Sequence, residues 1–319
     1  MSFTDDNVLR RRDLASLARV EAAFHTGSLA EAAQVAPEIP SRTGLTKAEF
    51  DEEYRRDQRP VILRDYVADW PSVRTWTMQG LAERVGDTTV VVDSYSSANS
   101  RRVPFAEFAR LLRESAGTDA APIYLQEWYY QTTNPELAQD MPELAIAQYD
   151  FRRNLYGDEA STNHQLWLGQ QGAVTRLHQD SYMVDVMHAQ IVGEKHWYVM
   201  GPDAVLDDKH GDDRDLQSLC ESPGTQLMQC RLRPGDVLYL PAMWFHRIEL
   251  RSDSIGLGRK CLDEVNLRLH IRQRMAELLA LSLNADEVKQ THPELFDVVL
   301  LRNRAWAQRM GIDLAKLRP

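Results

Sequence analysis

Residues 172–180 read Gly-Ala-Val-Thr-Arg-Leu-His-Gln-Asp, and this stretch decides how the rest of the chain is interpreted. On a β-strand, residues two apart point to the same face, so His178 and Asp180 present an imidazole and a carboxylate side by side. A metal site built on this pair needs a third ligand from another strand. The pattern therefore predicts a β-barrel whose interior faces these two side chains.

The best candidate for the third ligand is His246, at the end of the segment Pro-Ala-Met-Trp-Phe-His that follows a Pro-Gly-Asp turn at 234–236. Two His and one carboxylate form the facial triad of non-haem Fe(II) oxygenases, which leaves positions open for a co-substrate and O2. His-x-Asp alone is a weak signal. The later Gly-Asp strand and Pro-x-x-Trp-x-His make it much more specific.

Short runs of β-forming residues separated by turn residues recur along the chain, at 60–63, 88–92, 123–126, 165–168, 189–192, 196–200 and 237–240. From about residue 122 the predicted strands follow one another without intervening helices, which favours a sandwich or barrel over a parallel sheet. Helical patterns are expected at 46–56, where Thr46 and Glu49 form a capping-box pattern, and at 105–115. The fold class predicted is mainly β with flanking helices.

The predicted organisation has three parts. Residues 1–40 form an N-terminal helical extension, residues 41–262 form the catalytic domain with its barrel core at about 120–262, and residues 263–319 form a C-terminal helical region. A polar insert is expected at 203–225. The apolar stripe of the C-terminal region is a possible dimerisation element.

The composition excludes several classes of protein. The chain has 319 residues with 43% hydrophobic and 26% charged residues, and its net charge of −10 argues against broad binding to a phosphate backbone, so nucleic acid is an unlikely partner. Three cysteines, Cys220, Cys230 and Cys261, form neither a disulfide framework nor a zinc ribbon. With no apolar stretch long enough to span a bilayer, we expect a cytoplasmic protein.

These motifs resemble the JmjC/cupin-like Fe(II)- and 2-oxoglutarate-dependent oxygenases of the asparaginyl-hydroxylase type. The resemblance covers roughly residues 40–260, so it concerns a whole domain. Its motifs are Arg-Pro-Val-Ile-Leu at 59–63, Asp-Trp-Pro at 69–71, Trp-Thr at 76–77, Tyr-Leu-Gln at 124–126, residues 172–180, Gln-Ile-Val-Gly-Glu-Lys at 190–195, Gly-Pro at 201–202 and residues 234–246.

The resemblance implies a double-stranded β-helix, which is a jelly-roll barrel, with an N-terminal α/β lead-in. It also implies that Lys195 binds the distal carboxylate of 2-oxoglutarate, helped by Thr175 and Tyr124. A buried ammonium and two hydroxyls can satisfy one carboxylate by charge-assisted hydrogen bonds. Arg259 is the runner-up for this role, because many related oxygenases place an arginine at about that distance beyond the second metal-binding His.

The function that the resemblance implies is hydroxylation of an unactivated C–H bond with Fe(II), 2-oxoglutarate and O2, giving succinate and CO2. The expected substrate is an amino-acid side chain in a peptide or protein, or a free amino acid or other small molecule. Alternatives within the family are a tRNA-base hydroxylase and an N-demethylase. Alternatives outside it are a non-catalytic cupin that senses a ligand and a cupin enzyme with three His ligands, which Asp180 disfavours.

Overall fold

A computed structural model describes residues 36–92, 101–147, 151, 164–180, 183–202 and 227–271 of the chain. The strands within this part, numbered in chain order, are β1 Ser41–Arg42, β2 Val61–Leu63, β3 Thr89–Val92, β4 Arg101–Pro104, β5 Tyr124–Trp128, β6 His164–Gly169, β7 Val174–His178, β8 Asp185–Val192, β9 Lys195–Met200, β10 Met228–Leu232, β11 Val237–Leu240, β12 Phe245–Leu250 and β13 Ser254–Cys261.

Most of these strands belong to two sheets that form the jelly roll. The larger sheet has the order β1-β2-β11-β8-β13-β6-β5, and the smaller one has the order β10-β9-β12-β7. Except for the parallel pair β1 and β2, their neighbouring strands are antiparallel. Strands distant in sequence, such as β8 and β13, lie side by side, as in a jelly roll. The predicted fold class is confirmed.

The lead-in before β5 is a mixture of helices and a hairpin. Its α-helices are α1 Lys47–Phe50, α2 Pro71–Thr75, α3 Met78–Val85 and α4 Phe105–Ser115, followed after β5 by α5 Tyr130–Thr133; β3 and β4 form the hairpin. Helix α4 matches its predicted bounds. Helix α1 has the predicted capping box at Thr46 and Glu49, but it continues as a π-helical turn over Asp51–Arg55.

Alternation along the strands of the larger sheet explains how it packs. In β6, Leu166 and Leu168 are fully buried and belong to the same apolar cluster as Phe105 and Phe108 of α4. Burying such a side chain stabilises the fold by roughly 1.5–3 kcal/mol. The intervening residues of β6 face the other sheet instead. The larger sheet thus has one face against the helices and one face toward the barrel interior.

A tight turn joins β8 to β9 and fixes the residue at which β9 begins. Gly193 has a φ of +71°, and a Cβ at this position would lie 2.0 Å from the carbonyl oxygen of Asp253. Only glycine combines this backbone conformation with so close an approach. The turn predicted at Gly193 and Glu194 is therefore present, and it places Lys195 at the start of β9.

Several predictions fall outside the described residues. They are the N-terminal helices up to residue 35, the insert at 203–225 with Cys220, and the C-terminal helices beyond residue 271. The domain boundaries at 40 and 262 and the dimerisation element stay predictions. Among the described helices, none is long and apolar enough to cross a membrane.

Candidate metal and co-substrate site

Strand pairing brings the predicted metal ligands together at one end of the barrel. Strand β7 ends at His178, and the antiparallel register places His178 opposite His246 of β12. Their ring centroids lie 4.1 Å apart. Asp180 lies between them, with Oδ1 3.8 Å from Nε2 of His178 and Oδ2 3.9 Å from Nε2 of His246. One donor atom from each residue lies within 4.8 Å of the others, so this trio can hold a metal ion.

The environment of His246 keeps its imidazole in the form that binds metals. Burial, followed by the charge of His178, lowers the pKa of His246 to about 4, so the ring is neutral at pH 7. Its Nδ1 lies 3.1 Å from the carbonyl oxygen of Trp244. Because a carbonyl can only accept, Nδ1 donates this hydrogen bond and Nε2 keeps its lone pair on the side of Asp180.

The trio opens onto a cavity of about 440 Å³ between the two sheets. Its lining is mixed apolar and polar, and it consists of Tyr124, Gln165, Trp167, Thr175, His178, Asp180, Val186, His188, Lys195, Trp197, His246, Ile248, Gly258 and Lys260. Every site residue predicted from the sequence except Arg259 is in this set. Concave sites with a few convergent polar groups are typical of small-molecule binding.

Lys195 is the most unusual residue of the cavity wall. Its side chain is fully buried, and its Nζ has no hydrogen-bond partner among the described residues. Burial lowers its pKa to about 7. The ring of Tyr124 lies 5.9 Å from Nζ, and burial also raises the pKa of the Tyr124 phenol above its ordinary value. An unpartnered buried ammonium is costly, so its presence points to an anionic ligand.

Arg259, the runner-up to Lys195, faces away from this cavity. Its guanidinium forms an ion pair with Glu143 and donates a hydrogen bond of 3.3 Å to the carbonyl oxygen of Ala147. The reason is the two-residue period of β13, which turns Gly258 and Lys260 toward the cavity and Arg259 toward the segment between β5 and β6 that contains Glu143 and Ala147. The structure therefore brings Lys195, and not Arg259, together with Thr175 and Tyr124.

Two further residues, His188 and Trp197, lie in the cavity wall. Nε2 of His188 lies close to Nζ of Lys195. A Cβ at Gly256 would lie 2.4 Å from Nε2 of His188 and 3.0 Å from Nζ of Lys195, so glycine leaves the space that these groups need. Trp197 stacks beside His246 with ring centroids 5.7 Å apart. Alternate residues of β8 and β9 point into the barrel, and this two-residue period would have identified both residues from the sequence.

The carboxylate of Asp185 is buried outside the cavity. It accepts hydrogen bonds from the hydroxyl of Tyr239 at 2.9 Å and from the backbone N–H of Ala242 at 2.8 Å. Burial raises its pKa to about 6. Its contacts join β8 to β11 and to the turn that leads to His246.

Several known proteins are similar in sequence to this chain. The chain is 28% identical over 253 residues to a tRNA wybutosine-synthesizing protein of Danio rerio, covering 69% of this chain and 74% of the relative. It is 25% identical over 261 residues to a bifunctional peptidase and (3S)-lysyl hydroxylase of Homo sapiens, covering 67% and 80%. It is 23% identical over 276 residues to a 2-oxoglutarate and iron-dependent oxygenase of Danio rerio, covering 76% and 65%.

The chain also matches lysine-specific and arginine-specific demethylases of Arabidopsis thaliana, but it spans only 30% and 46% of their lengths. A family model described as a cupin-like domain matches residues 47–258, which is most of the chain and includes His178, Asp180, Lys195 and His246. The jelly roll agrees with this match. The chain therefore belongs to the cupin-like domain family, in its JmjC-like branch.

Proposed function

We propose that this protein is an Fe(II)- and 2-oxoglutarate-dependent hydroxylase that acts on an amino-acid side chain. The observation that carries the proposal is that a group able to bind a metal and a group able to bind a carboxylate line the same cavity. A His-Asp-His trio able to hold a metal lies at one end, and an unpartnered buried ammonium, Lys195, lies in the same wall. A dicarboxylate with a metal-chelating end is the kind of ligand that satisfies both.

The residues present fit these cofactors. Two His and one carboxylate are the ligand set of non-haem Fe(II) oxygenases. The ammonium of Lys195 would pair with the distal carboxylate of 2-oxoglutarate, with the hydroxyls of Thr175 and Tyr124 beside it. Iron and 2-oxoglutarate would supply the oxidising chemistry, in which RH, O2 and 2-oxoglutarate give ROH, succinate and CO2.

The chain's own contribution is positioning and exclusion of water. The hydrogen bond from Nδ1 of His246 to the carbonyl oxygen of Trp244 fixes the ring orientation. Trp167, Trp197 and Ile248 make much of the cavity wall apolar. An apolar wall keeps bulk water from the reacting atoms, which protects a strong oxidant from side reactions.

The names of the relatives support the reaction class more than the substrate. One relative is named a lysyl hydroxylase, others are named demethylases, and one is named for tRNA wybutosine synthesis. We favour hydroxylation of an amino-acid side chain because the chain carries a net charge of −10, which disfavours a polyanion such as tRNA. A non-catalytic ligand sensor is the alternative from another functional class, since the same cavity can bind without turnover.

The test is succinate formation from 2-oxoglutarate by the purified chain with Fe(II), screened against free amino acids, peptides and tRNA. We expect turnover to rise with a free amino acid or a peptide and to disappear in His178→Ala. His164→Ala is the matched control, because His164 lies on β6 but does not line the cavity. This control should keep wild-type turnover.

Each alternative predicts a different result. A ligand sensor binds metal and 2-oxoglutarate but forms no succinate with any compound. A tRNA-base hydroxylase forms succinate only with tRNA, and a demethylase releases formaldehyde. Wild-type protein that is loaded with Fe(II) and binds no 2-oxoglutarate would show that the proposed function is wrong.

A further inference from the structure

Lys260 is a second lysine in the wall of the same cavity, and the proposed binding of 2-oxoglutarate by Lys195 leaves it unexplained. Its side chain is only 16% exposed, and it forms an ion pair with Glu127, whose Oε1 lies 3.5 Å from Nζ. Largely buried lysines are uncommon in proteins and call for an explanation. Lys260 and Glu127 are referred to below as the charged pair.

The register of the strands places Lys260 at the metal end of the barrel. Strand β13 passes Lys195 at Gly256, where an added Cβ would lie 3.0 Å from Nζ of Lys195. Lys260 follows four residues later on the same face, and at about 3.3 Å per residue this is roughly 13 Å further along the strand. It is opposite Val186, another residue of the cavity wall.

The metal trio lies at this same end. Strand β12 runs from His246, opposite Val199, to Leu250, opposite Lys195, so the metal end and the Lys195 end are separated along the barrel. A co-substrate that extends from Lys195 to the metal therefore leaves Lys260 on the side available to the compound that is oxidised.

The partner of Lys260 is held by an irregular piece of backbone. Glu127 has a φ of +54°, which is uncommon for a residue other than glycine, and it lies in an irregularity of β5 between Leu125 and Trp128. The amide of Gln165 donates to Glu127 at 3.3 Å and to the hydroxyl of Tyr129 at 2.7 Å. Strained backbone of this kind persists only where the surrounding contacts support it, and it is frequent at ligand sites.

We infer that the charged pair recognises the zwitterionic head of a free α-amino acid, with Lys260 binding the carboxylate and Glu127 binding the ammonium. The inference rests on the proposed function and makes its substrate specific. A pair with one charge of each sign does not match a polyanion or an uncharged peptide segment. It does match an α-amino acid, whose nitrogen and nearer carboxylate oxygen are about 3 Å apart by ordinary bond lengths, close to the 3.5 Å between Nζ and Oε1.

The experiment measures binding, so it does not depend on turnover. The full chain, loaded with Mn(II) and the unreactive 2-oxoglutarate analogue N-oxalylglycine, is titrated calorimetrically with each L-amino acid. Two capped forms of each amino acid are titrated in parallel: the carboxamide, which lacks the carboxylate, and the Nα-acetyl derivative, which lacks the ammonium. We expect at least one free amino acid to bind about tenfold or more tightly than both of its capped forms.

Two variants separate the roles of the charged pair. Lys260→Met should abolish the preference for the free acid over the carboxamide, and Glu127→Gln should abolish the preference for the free amine over the Nα-acetyl form. A purely structural pair would not produce this division. Thermal unfolding verifies that both variants fold, and both should bind N-oxalylglycine as the wild type does.

The inference is overturned if no free amino acid binds better than its capped forms, or if Lys260→Met keeps the acid preference. It is also overturned if an Nα-acetylated or peptide-embedded residue binds as tightly as the free amino acid. Failure of the proposed function is recognised separately, as absence of binding of N-oxalylglycine to Mn(II)-loaded wild type. The amino-acid titrations are also repeated on the Mn(II)-loaded chain without N-oxalylglycine, so that amino-acid binding is tested separately from binding of the analogue.

Discussion

Two cavities in the part of the chain that the structure describes differ in how their buried charges are compensated. A cavity of about 280 Å³ beside the barrel is lined by Arg55 and Asp263, among others, and here Arg55 donates to Asp51 at 2.8 Å and to Asp263 at 2.7 Å. In the barrel cavity, Nζ of Lys195 has no such partner among the described residues. At Arg55 the buried charges are paired within the chain and support the fold, whereas the unpaired ammonium of Lys195 indicates a position where a ligand completes the pair.

The largest expected effect is the loss of folding stability when the buried ion pair of Arg55 is broken. Arg55→Met leaves the carboxylate of Asp263 buried without its cation, and the loss of one partner of a buried pair costs about 3–5 kcal/mol. Chemical denaturation should therefore show a lower free energy of unfolding by an amount of that order. Binding of 2-oxoglutarate to the protein that remains folded should be unchanged. An unfolding free energy equal to the wild type would contradict the assignment of Arg55 to the fold.

The second prediction concerns the unpaired side. Lys195→Met should weaken binding of 2-oxoglutarate to the Mn(II)-loaded protein by about 2–5 kcal/mol, because the ligand carboxylate would be buried without its cation. The free energy of unfolding should not fall, since the wild-type ammonium is itself buried without a partner in the described structure. Lys260→Met is the control in the same cavity. A Lys195→Met protein that unfolds more easily than the wild type but binds 2-oxoglutarate normally would show that Lys195 supports the fold and does not bind the ligand.

A third prediction uses pH. Burial lowers the pKa of Lys195 to about 7 in the free protein, so the ammonium is present below pH 7 and is lost as the pH rises. The dissociation constant of 2-oxoglutarate should therefore increase between pH 7 and pH 8.5, by up to about tenfold per pH unit.

Titrations in buffers of different ionisation enthalpy should show up to one proton taken up on binding at pH 8. The pH dependence should be absent in Lys195→Met over the same range. Affinity that stays constant with pH in the wild type, without proton uptake, would show that Lys195 does not bind the carboxylate as an ammonium.

The smallest expected effect concerns Asp185. Burial raises its pKa from 3.8 to about 6, so the fold favours the neutral form. The contribution of this group to stability is fully present below about pH 4 and is lost as the pH rises through about 6. Asp185→Asn should therefore have a flatter dependence of unfolding temperature on pH between 4 and 7 than the wild type, as measured by scanning calorimetry. Parallel curves would contradict the raised pKa.

The sequence was sufficient where a local pattern carries the information. The helical period of residues 105–115 is confirmed as local structure. The two-residue spacing of His178 and Asp180 accompanies a distance of 3.8 Å between Nε2 and Oδ1, although β7 itself ends at His178. Alternation along β13 would also have predicted that Arg259 points away from the cavity, because its neighbours Gly258 and Lys260 both line the cavity.

Other features depend on contacts between distant segments and could not be predicted. Asp185 is buried by contacts with β11 and with the turn before His246. The bulge at Glu127 contains no glycine or proline that would have predicted it. The charged pair joins residues far apart in the chain, so only the assembled jelly roll shows that Glu127 and Lys260 meet. Specificity is for this reason less visible in the sequence than the metal site.

The most direct test of the central claim is a calorimetric titration of 2-oxoglutarate into the full chain with and without Mn(II), in the wild type and in His178→Ala. The account predicts one equivalent of 2-oxoglutarate bound by the metal-loaded wild type, with much weaker binding in its metal-free form and in His178→Ala. Loss of a metal ligand should cost more than the about 10- to 100-fold that follows loss of a residue that only supports a ligand. Equal binding with and without metal, or none in the metal-loaded wild type, would contradict the account.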